Sequence, residues 1–359
     1  MKKTLTLLLS VSLAFVTLTG CGAKDKTETA VAETTVTEAP KAEETAEAPA
    51  SGDAVKTGLA VISSAAKSKD AAEEDGLAQA DSTVVAVTVD KDGKIVKCVI
   101  DAAQTKINFS KTGELTTDVK SEFKTKVELG ADYGMAKASS IGKEWADQAA
   151  ALADYVVGKT VEEVKGIAVN EKGAPSDAEL AASVTVGIGN YVSAIEKAVA
   201  NAKELGATSA DKLGLGVVTN IAKSKNAAEE DGLAQAYSSY AALTFGADGK
   251  ITSAIIDGSQ TNINFSKEGK ITSDINAAQM TKVELGEKYG MKKASGIGKE
   301  WFEQADALSK YIVGKTIEEV KGIAVNEEGA PTDAELTASV TIKLGDHIKN
   351  FEKASANAK

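Results

Sequence analysis

Thr83-Val84-Val85-Ala86-Val87-Thr88-Val89 runs into Asp90-Lys91-Asp92-Gly93-Lys94 and continues as Ile95-Val96-Lys97-Cys98-Val99-Ile100. Two β-branched runs flanking an Asp-Gly turn are the strongest local signal for a hairpin, because glycine accepts the left-handed backbone the turn demands. The hairpin returns around Asp248-Gly249, 156 positions after Asp92-Gly93 (248 − 92). Other blocks recur at the same offset. Asp75-Gly76-Leu77-Ala78-Gln79-Ala80 matches Asp231-Gly232-Leu233-Ala234-Gln235-Ala236, and Gly142-Lys143-Glu144-Trp145 matches Gly298-Lys299-Glu300-Trp301. A solenoid unit runs to about 20–50 residues, so this period is that of a domain. The reading is two homologous domains, 56–203 and 212–359, joined by a linker at 204–211.

Around the hairpin the coarse pattern is α+β, with strands and helices segregated and a mainly antiparallel sheet in each unit. Each unit opens with an Ala-rich, Lys-spaced stretch, 56–73 and 212–229, that reads as a helix. A polar stretch holding Asn108-Phe109-Ser110, and its twin Asn264-Phe265-Ser266, follows the hairpin. Trp145, Ala149, Leu152 and Val156 share one face of a helix near 143–157, and Thr160-Val161-Glu162-Glu163 has the form of a capping box. Each unit closes with Pro175-Ser176-Asp177-Ala178-Glu179-Leu180, a small-residue run Ala181-Ala182-Ser183-Val184-Thr185-Val186, and a helix from about Asn190 to Lys203. The matched aromatics are Phe109/Phe265, Tyr133/Tyr289, Trp145/Trp301 and Tyr155/Tyr311. Most belong to a core, and one pair is left open as the lining for a flat ligand.

The N-terminal end reads as a targeting segment. Lys2 and Lys3 precede a short apolar run, Leu5 to Val16, and Leu18-Thr19-Gly20-Cys21 closes it with small residues before a cysteine. That ending resembles a bacterial lipobox, which implies a signal peptide over 1–20, lipidation of Cys21 and anchoring at the outer face of the cell membrane. Residues 22–51 are nearly all Ala, Glu, Thr, Lys and Pro without an aromatic, a composition that cannot bury enough surface to fold. The segment 21–55 therefore reads as a disordered tether of roughly 100 Å reach. Cleavage before Cys21 leaves 39 lysines against 52 acids, a balance of −13, and no arginine occurs. Such a chain is a poor partner for nucleic acid, which needs positive grooves.

Duplication also filters the chemistry. Cys98 faces Ala254, and the single histidine, His347, faces Tyr191, so neither is shared by the two units. Metal-ligand spacing, a Ser–His–Asp set and a Gly-rich phosphate loop are all missing from the pattern. What remains is the shared closing segment.

The strand, Asp-Gly-Lys hairpin, strand, then Asp-x-x-x-x-Ala-Ser-Val-Thr and a closing Ala-rich helix resembles the FMN-binding domain family over both units. The tandem lipoprotein arrangement is most similar to the proteins of Gram-positive flavin-based extracellular electron transfer. In that family a flavin transferase takes FMN from FAD and joins its phosphate to a hydroxyl in Asp-x-x-Ser/Thr-Gly-Ala-Thr. Laid on this chain, the motif places Asp177, Ala182 and the acceptor Ser183 in the first unit, and Asp333, Ala338 and Ser339 in the second. Leu180 and Leu336 stand at the hydroxyl position, and Ala181 and Thr337 stand at the glycine; Thr185 and Thr341 are alternative acceptors. Small neighbours suit a hydroxyl that a second enzyme must reach, and the helix near Asn190 has an N-terminus suited to a phosphate.

The resemblance implies a membrane-anchored redox carrier, not an enzyme, with two covalent FMN groups and no metal. Its implied partners are the flavin transferase, a membrane NADH dehydrogenase with its quinone pool, and external acceptors such as ferric iron. The competing expectations are a solute-binding lipoprotein and a cofactor-free surface interaction protein.

Overall fold

The hairpin runs as a long antiparallel ladder. In the computed structural model, which describes residues 52–359, strand β1 is Ala54–Ser64, β2 Gly76–Val89 and β3 Ile95–Phe109. β2 and β3 pair from Gly76↔Phe109 to Val89↔Ile95, and β1 lies along the other edge of β2 from Lys56↔Val89 to Ser64↔Asp81. The turn closes as expected, with Gly93 at φ +78° and the Asp90 carboxylate accepting the N–H groups of Asp92 and Lys94 at 2.9 and 2.8 Å. Short helices α1 (Lys126–Leu129), α2 (Trp145–Tyr155), α3 (Val161–Lys165) and α4 (Ala178–Ala181) follow, then α5 (Gly189–Ala200). Thr160 and Glu163 form the reciprocal capping box that opens α3.

Strand β4 (Lys203–Thr208) then leads into the second copy: β5 Lys212–Asn220, β6 Gly232–Phe245 and β7 Ile251–Phe265. Its helices are α6 (Lys282–Leu285), α7 (Trp301–Ile312), α8 (Ile317–Lys321), α9 (Ala334–Thr337) and α10 (Gly345–Ala356). The described residues are thus α+β, with two antiparallel sheets in the orders β3-β2-β1-β4 and β5-β6-β7. The signal over 1–20, the lipidation at Cys21 and the tether as far as residue 51 lie outside the described residues.

Three expectations are corrected. Residues 56–73 and 212–229 open as strands, not helices. Leu59 and Val61 pack toward the other repeat while Ala60 faces the helices of its own, so this strand is buried on both faces. Tertiary burial overrides the helix propensity of its alanines and lysines. The join at 204–211 is not a bare linker: β4 pairs with β1 through Ala54↔Thr208, Lys56↔Glu204 and Thr57↔Lys203. The Asp211 carboxylate fixes its end, accepting Thr208 N–H and the Thr252 hydroxyl, each at 2.8 Å. Last, residues 54 and 55, assigned above to the tether, belong to β1.

The same two-sided burial explains the hairpin's composition. Val85, Val87 and Val89 face α2 and α5, whereas Val84 and Ala86 face the second repeat. All are 0–3% exposed, and a strand covered on both faces reads as a continuous apolar run. The repeats meet sheet to sheet with reciprocal contacts. Ala71 N–H donates to Gly269 O and Ala227 N–H to Gly113 O, both at 2.8 Å, while Lys197 pairs with Glu284 and Lys353 with Glu128. That is the pattern of an isologous dimer interface within one chain.

Helices α5 and α10 lie directly on the sheets because β1 and β5 carry glycine there. A Cβ at Gly58 would land on the carbonyl oxygen of Ala198, and one at Gly214 on that of Ala354. Gly214→Ala is expected to cost about 1–3 kcal/mol through overpacking. A urea melt should show a lower midpoint with an unchanged slope; an unmoved midpoint would mean the helix can lift away freely.

Candidate functional site

In the closing segment of each repeat, the chain caps itself and turns back toward the surface. Asp177 Oδ1 accepts Glu179 N–H at 3.0 Å and Leu180 N–H at 3.2 Å, opening α4. Leu180 is 2% exposed and plugs the core. The turn after α4 is closed by Ser183 N–H and Val184 N–H, both donating to Leu180 O at 2.9 and 2.8 Å. Val184 is buried and Ala182 exposed, so Ser183 sits half-exposed between an anchor and open surface. The second repeat repeats each feature: Asp333 caps α9 with its carboxylate 2.9 and 3.4 Å from Glu335 and Leu336 N–H, Leu336 and Val340 are buried, Ala338 is exposed and Ser339 half-exposed.

Two further residues, not singled out from sequence, complete the site. Lys143 Nζ donates to Ser183 Oγ at 3.3 Å, and Lys299 Nζ to Ser339 Oγ at 3.1 Å. Neither lysine takes part in an ion pair among the described residues. Behind them lies a fully buried glutamine. Gln148 Nε2 donates to Lys143 O and to Ser139 Oγ, both at 3.1 Å, while its Oε1 accepts Thr185 N–H at 2.8 Å and the Thr185 hydroxyl at 3.2 Å. Gln304 makes the same four bonds to Lys299, Ser295 and Thr341.

The two pairs of hydroxyls differ in their surroundings. The Thr185 and Thr341 hydroxyls are donated inward to a buried amide, whereas Ser183 and Ser339 each accept from a half-exposed lysine. The sequence held a signal for these lysines: Gly-Lys-Glu-Trp is one of the duplicated blocks. Their closeness to the serines, 40 positions later, is purely tertiary. A serine–lysine pair also suggests nucleophilic catalysis, but that chemistry needs a lysine desolvated in an apolar pocket. Lys143 and Lys299 are half-exposed. A hydroxyl on a small-residue turn beside an unpaired ammonium instead suits a bound phosphate group. Before α5, Ile188 N–H donates to Gly173 O at 2.9 Å.

Of the matched aromatics, Phe109, Phe265, Trp145 and Trp301 are core. Tyr155 and Tyr311 are the half-exposed pair near the closing motif. Burial first, then the Asp177 and Glu179 carboxylates, push the Tyr155 hydroxyl up, and Lys159 Nζ lies 4.3 Å from its ring centroid. The unshared residues are structural. Burial pushes the Cys98 thiol up to about 12, and His347 down to about 4 with its Nδ1 3.1 Å from Ser239 Oγ.

Two clefts of about 270 and 150 Å³ lie on the seam between the repeats, apart from both serines. Their polar groups serve each other: Lys197 donates to Val61 O, Asn201 to Leu59 O, and Asp257 accepts Gly258 and Val283 N–H. Among the described residues, no group of three or more His, Cys, Asp or Glu is placed to hold a metal ion, and no helix is long and apolar enough to cross a membrane.

No protein-family model and no solved structure matches the chain. A chlorophenol reductase of Desulfitobacterium hafniense is 49% identical over 41 residues, which is 11% of this chain and 12% of that relative.

Proposed function

We propose that this chain is a lipid-anchored extracellular redox carrier of the FMN-binding type, bearing a covalent flavin mononucleotide on Ser183 and another on Ser339. The observation that carries the reading is the repeated hydroxyl–ammonium pair, Ser183 with Lys143 and Ser339 with Lys299, at the positions the family motif assigns to the acceptor. Attachment forms a bond from serine Oγ to the flavin phosphorus while the P–O–P link of FAD breaks. AMP departs with the bridging oxygen, and the serine proton passes to a base of the flavin transferase. When bound, the flavin supplies one- and two-electron redox chemistry, and the protein supplies attachment, orientation and tuning.

Asp177 and Asp333 hold the turn that presents the serine; Ala182 and Ala338 leave room for the transferase. A covalent link keeps the cofactor outside the cell, where a dissociated one is diluted away. The proposed route runs from a membrane NADH dehydrogenase and quinone pool to external acceptors such as ferric iron.

The test is mass spectrometry of the full chain after reaction with transferase and FAD. Wild type should gain two flavin mononucleotide groups, Ser183→Ala and Ser339→Ala one each, and the double variant none. A wild-type chain that gains no mass would sink the carrier in favour of a solute-binding or cofactor-free surface protein. Loss confined to Thr185→Ala and Thr341→Ala would move the attachment to the threonines.

A further inference from the structure

We infer that Lys143 and Lys299 are the positioning residues for flavin attachment, each holding the nucleotide's phosphate against the neighbouring serine hydroxyl; this rests on the carrier reading above. The chain has 52 acids against 41 basic residues, so an incoming anionic dinucleotide meets net repulsion. A cation at the acceptor must offset it locally. Among the described residues Lys143 and Lys299 are the lysines hydrogen-bonded to the proposed acceptors, and neither is in an ion pair. By contrast, Lys197 and Lys353 are engaged by Glu284 and Glu128 across the seam.

Their placement is built, not incidental. Gly142 and Gly298, both at φ +64°, bend the chain into the lysine. The next residue, Glu144 or Glu300, caps the following helix, and its carboxylate also accepts Met135 or Met291 N–H at 2.8 Å. The buried Gln148 or Gln304 grips the lysine's own carbonyl. The backbone of each lysine is therefore pinned on both sides, and only the side chain is free to follow a phosphate.

In the transfer step the ammonium contributes charge and hydrogen bonds as the Oγ–P bond forms and AMP leaves; no proton changes hands on it. A charge-assisted hydrogen bond of this kind corresponds to about a tenfold to hundredfold change in rate.

The experiment measures the labelling rate of each site separately, from the masses of the two serine-containing peptides of the full chain with transferase and FAD. Lys143→Met is expected to slow labelling at Ser183 about tenfold or more while Ser339 labels at the wild-type rate, and Lys299→Met should do the reverse. Lys143→Arg, which keeps the charge, should recover most of the rate, and melting midpoints should stay unchanged. Wild-type rates in Lys143→Met, with both flavins attached in wild type, would overturn the inference alone. Equal losses in the Met and Arg variants with lowered melting would also overturn it, as a structural effect. A wild type that takes no flavin would remove the reading beneath it.

Discussion

Phe109→Ala is expected to destabilise both repeats together, by about 3–5 kcal/mol. Its ring stacks on Phe265 with centroids 4.3 Å apart and planes 12° apart, and both side chains are fully buried. The pair is where the duplication meets itself. Gly76 and Gly232, opposite Phe109 and Phe265 in the ladders, leave the space each ring fills. Around them, Ala65, Ala71, Ala78 and Ile107 of one repeat pack with Ile221, Ala234 and Ile263 of the other. Removing one ring opens a cavity that rigid strands on both sides cannot collapse. The stack adds about 0.5–1.5 kcal/mol beyond burial, so Phe109→Ala and Phe265→Ala together should cost less than their sum. Trp145 and Trp301 report on the two repeats separately. With either tryptophan replaced by Phe, the remaining fluorescence should give coincident urea transitions, shifted alike by Phe109→Ala. A shift confined to the first repeat would show two independent domains in place of one seam-bound unit.

That seam marks the division between what was legible in the sequence and what was not. The Asp90–Lys94 turn, the helix at 145–155 and the Thr160 capping box all depend on residues within a few positions of one another, and each stands where local chemistry puts it. In sequence β1 resembles a helix because a strand covered on both faces loses the alternation that identifies strands. Its second cover, Leu213, Leu215 and Val217, lies about one repeat away in the chain. The 204–211 segment looked like a join because a short strand paired only at one edge carries no strong pattern of its own. At the candidate site, Asp177 and Ser183 were visible through the duplicated motif, since the turn that presents the serine is local. Lys143 belongs to another duplicated block and Gln148 lies three residues beyond its end, and only the packing of α2 beside α4 brings them to the motif.

Where the repeats differ, the second holds a buried cation. Lys282 is 3% exposed, its Nζ donating to the Tyr237 hydroxyl at 3.0 Å and lying 4.4 to 4.8 Å from the ring centroids of Tyr237, Tyr289 and Trp301. In the first repeat, Asp81 stands at the position of Tyr237, and Lys126 remains half-buried. Burial lowers Lys282 to about 7, against a smaller upward pull from Asp257. The unfolded lysine titrates near its ordinary 10.5, so above pH 7 the unfolded chain binds more protons here than the folded one. Stability contributed by this site must therefore rise with pH through that window. The groups around it titrate outside the range from pH 7 to 8.5: His347 at about 4 and Asp257 at about 6, while burial pushes the Tyr237 hydroxyl well up. The buried Cys98 enters only as the unfolded thiol ionises, near 9. Wild type should gain about 1–2 kcal/mol of unfolding free energy between pH 7.0 and 8.5. Lys282→Met should lose most of that slope and be more stable at pH 7 by about 1–4 kcal/mol, because an apolar side chain in the same cage has no charge to desolvate. Urea titrations at the two pH values, with Lys126→Met as control, measure both effects. Equal slopes in wild type and Lys282→Met would place the titrating group elsewhere, and a destabilised Lys282→Met would mean that the bond to Tyr237 outweighs the buried charge.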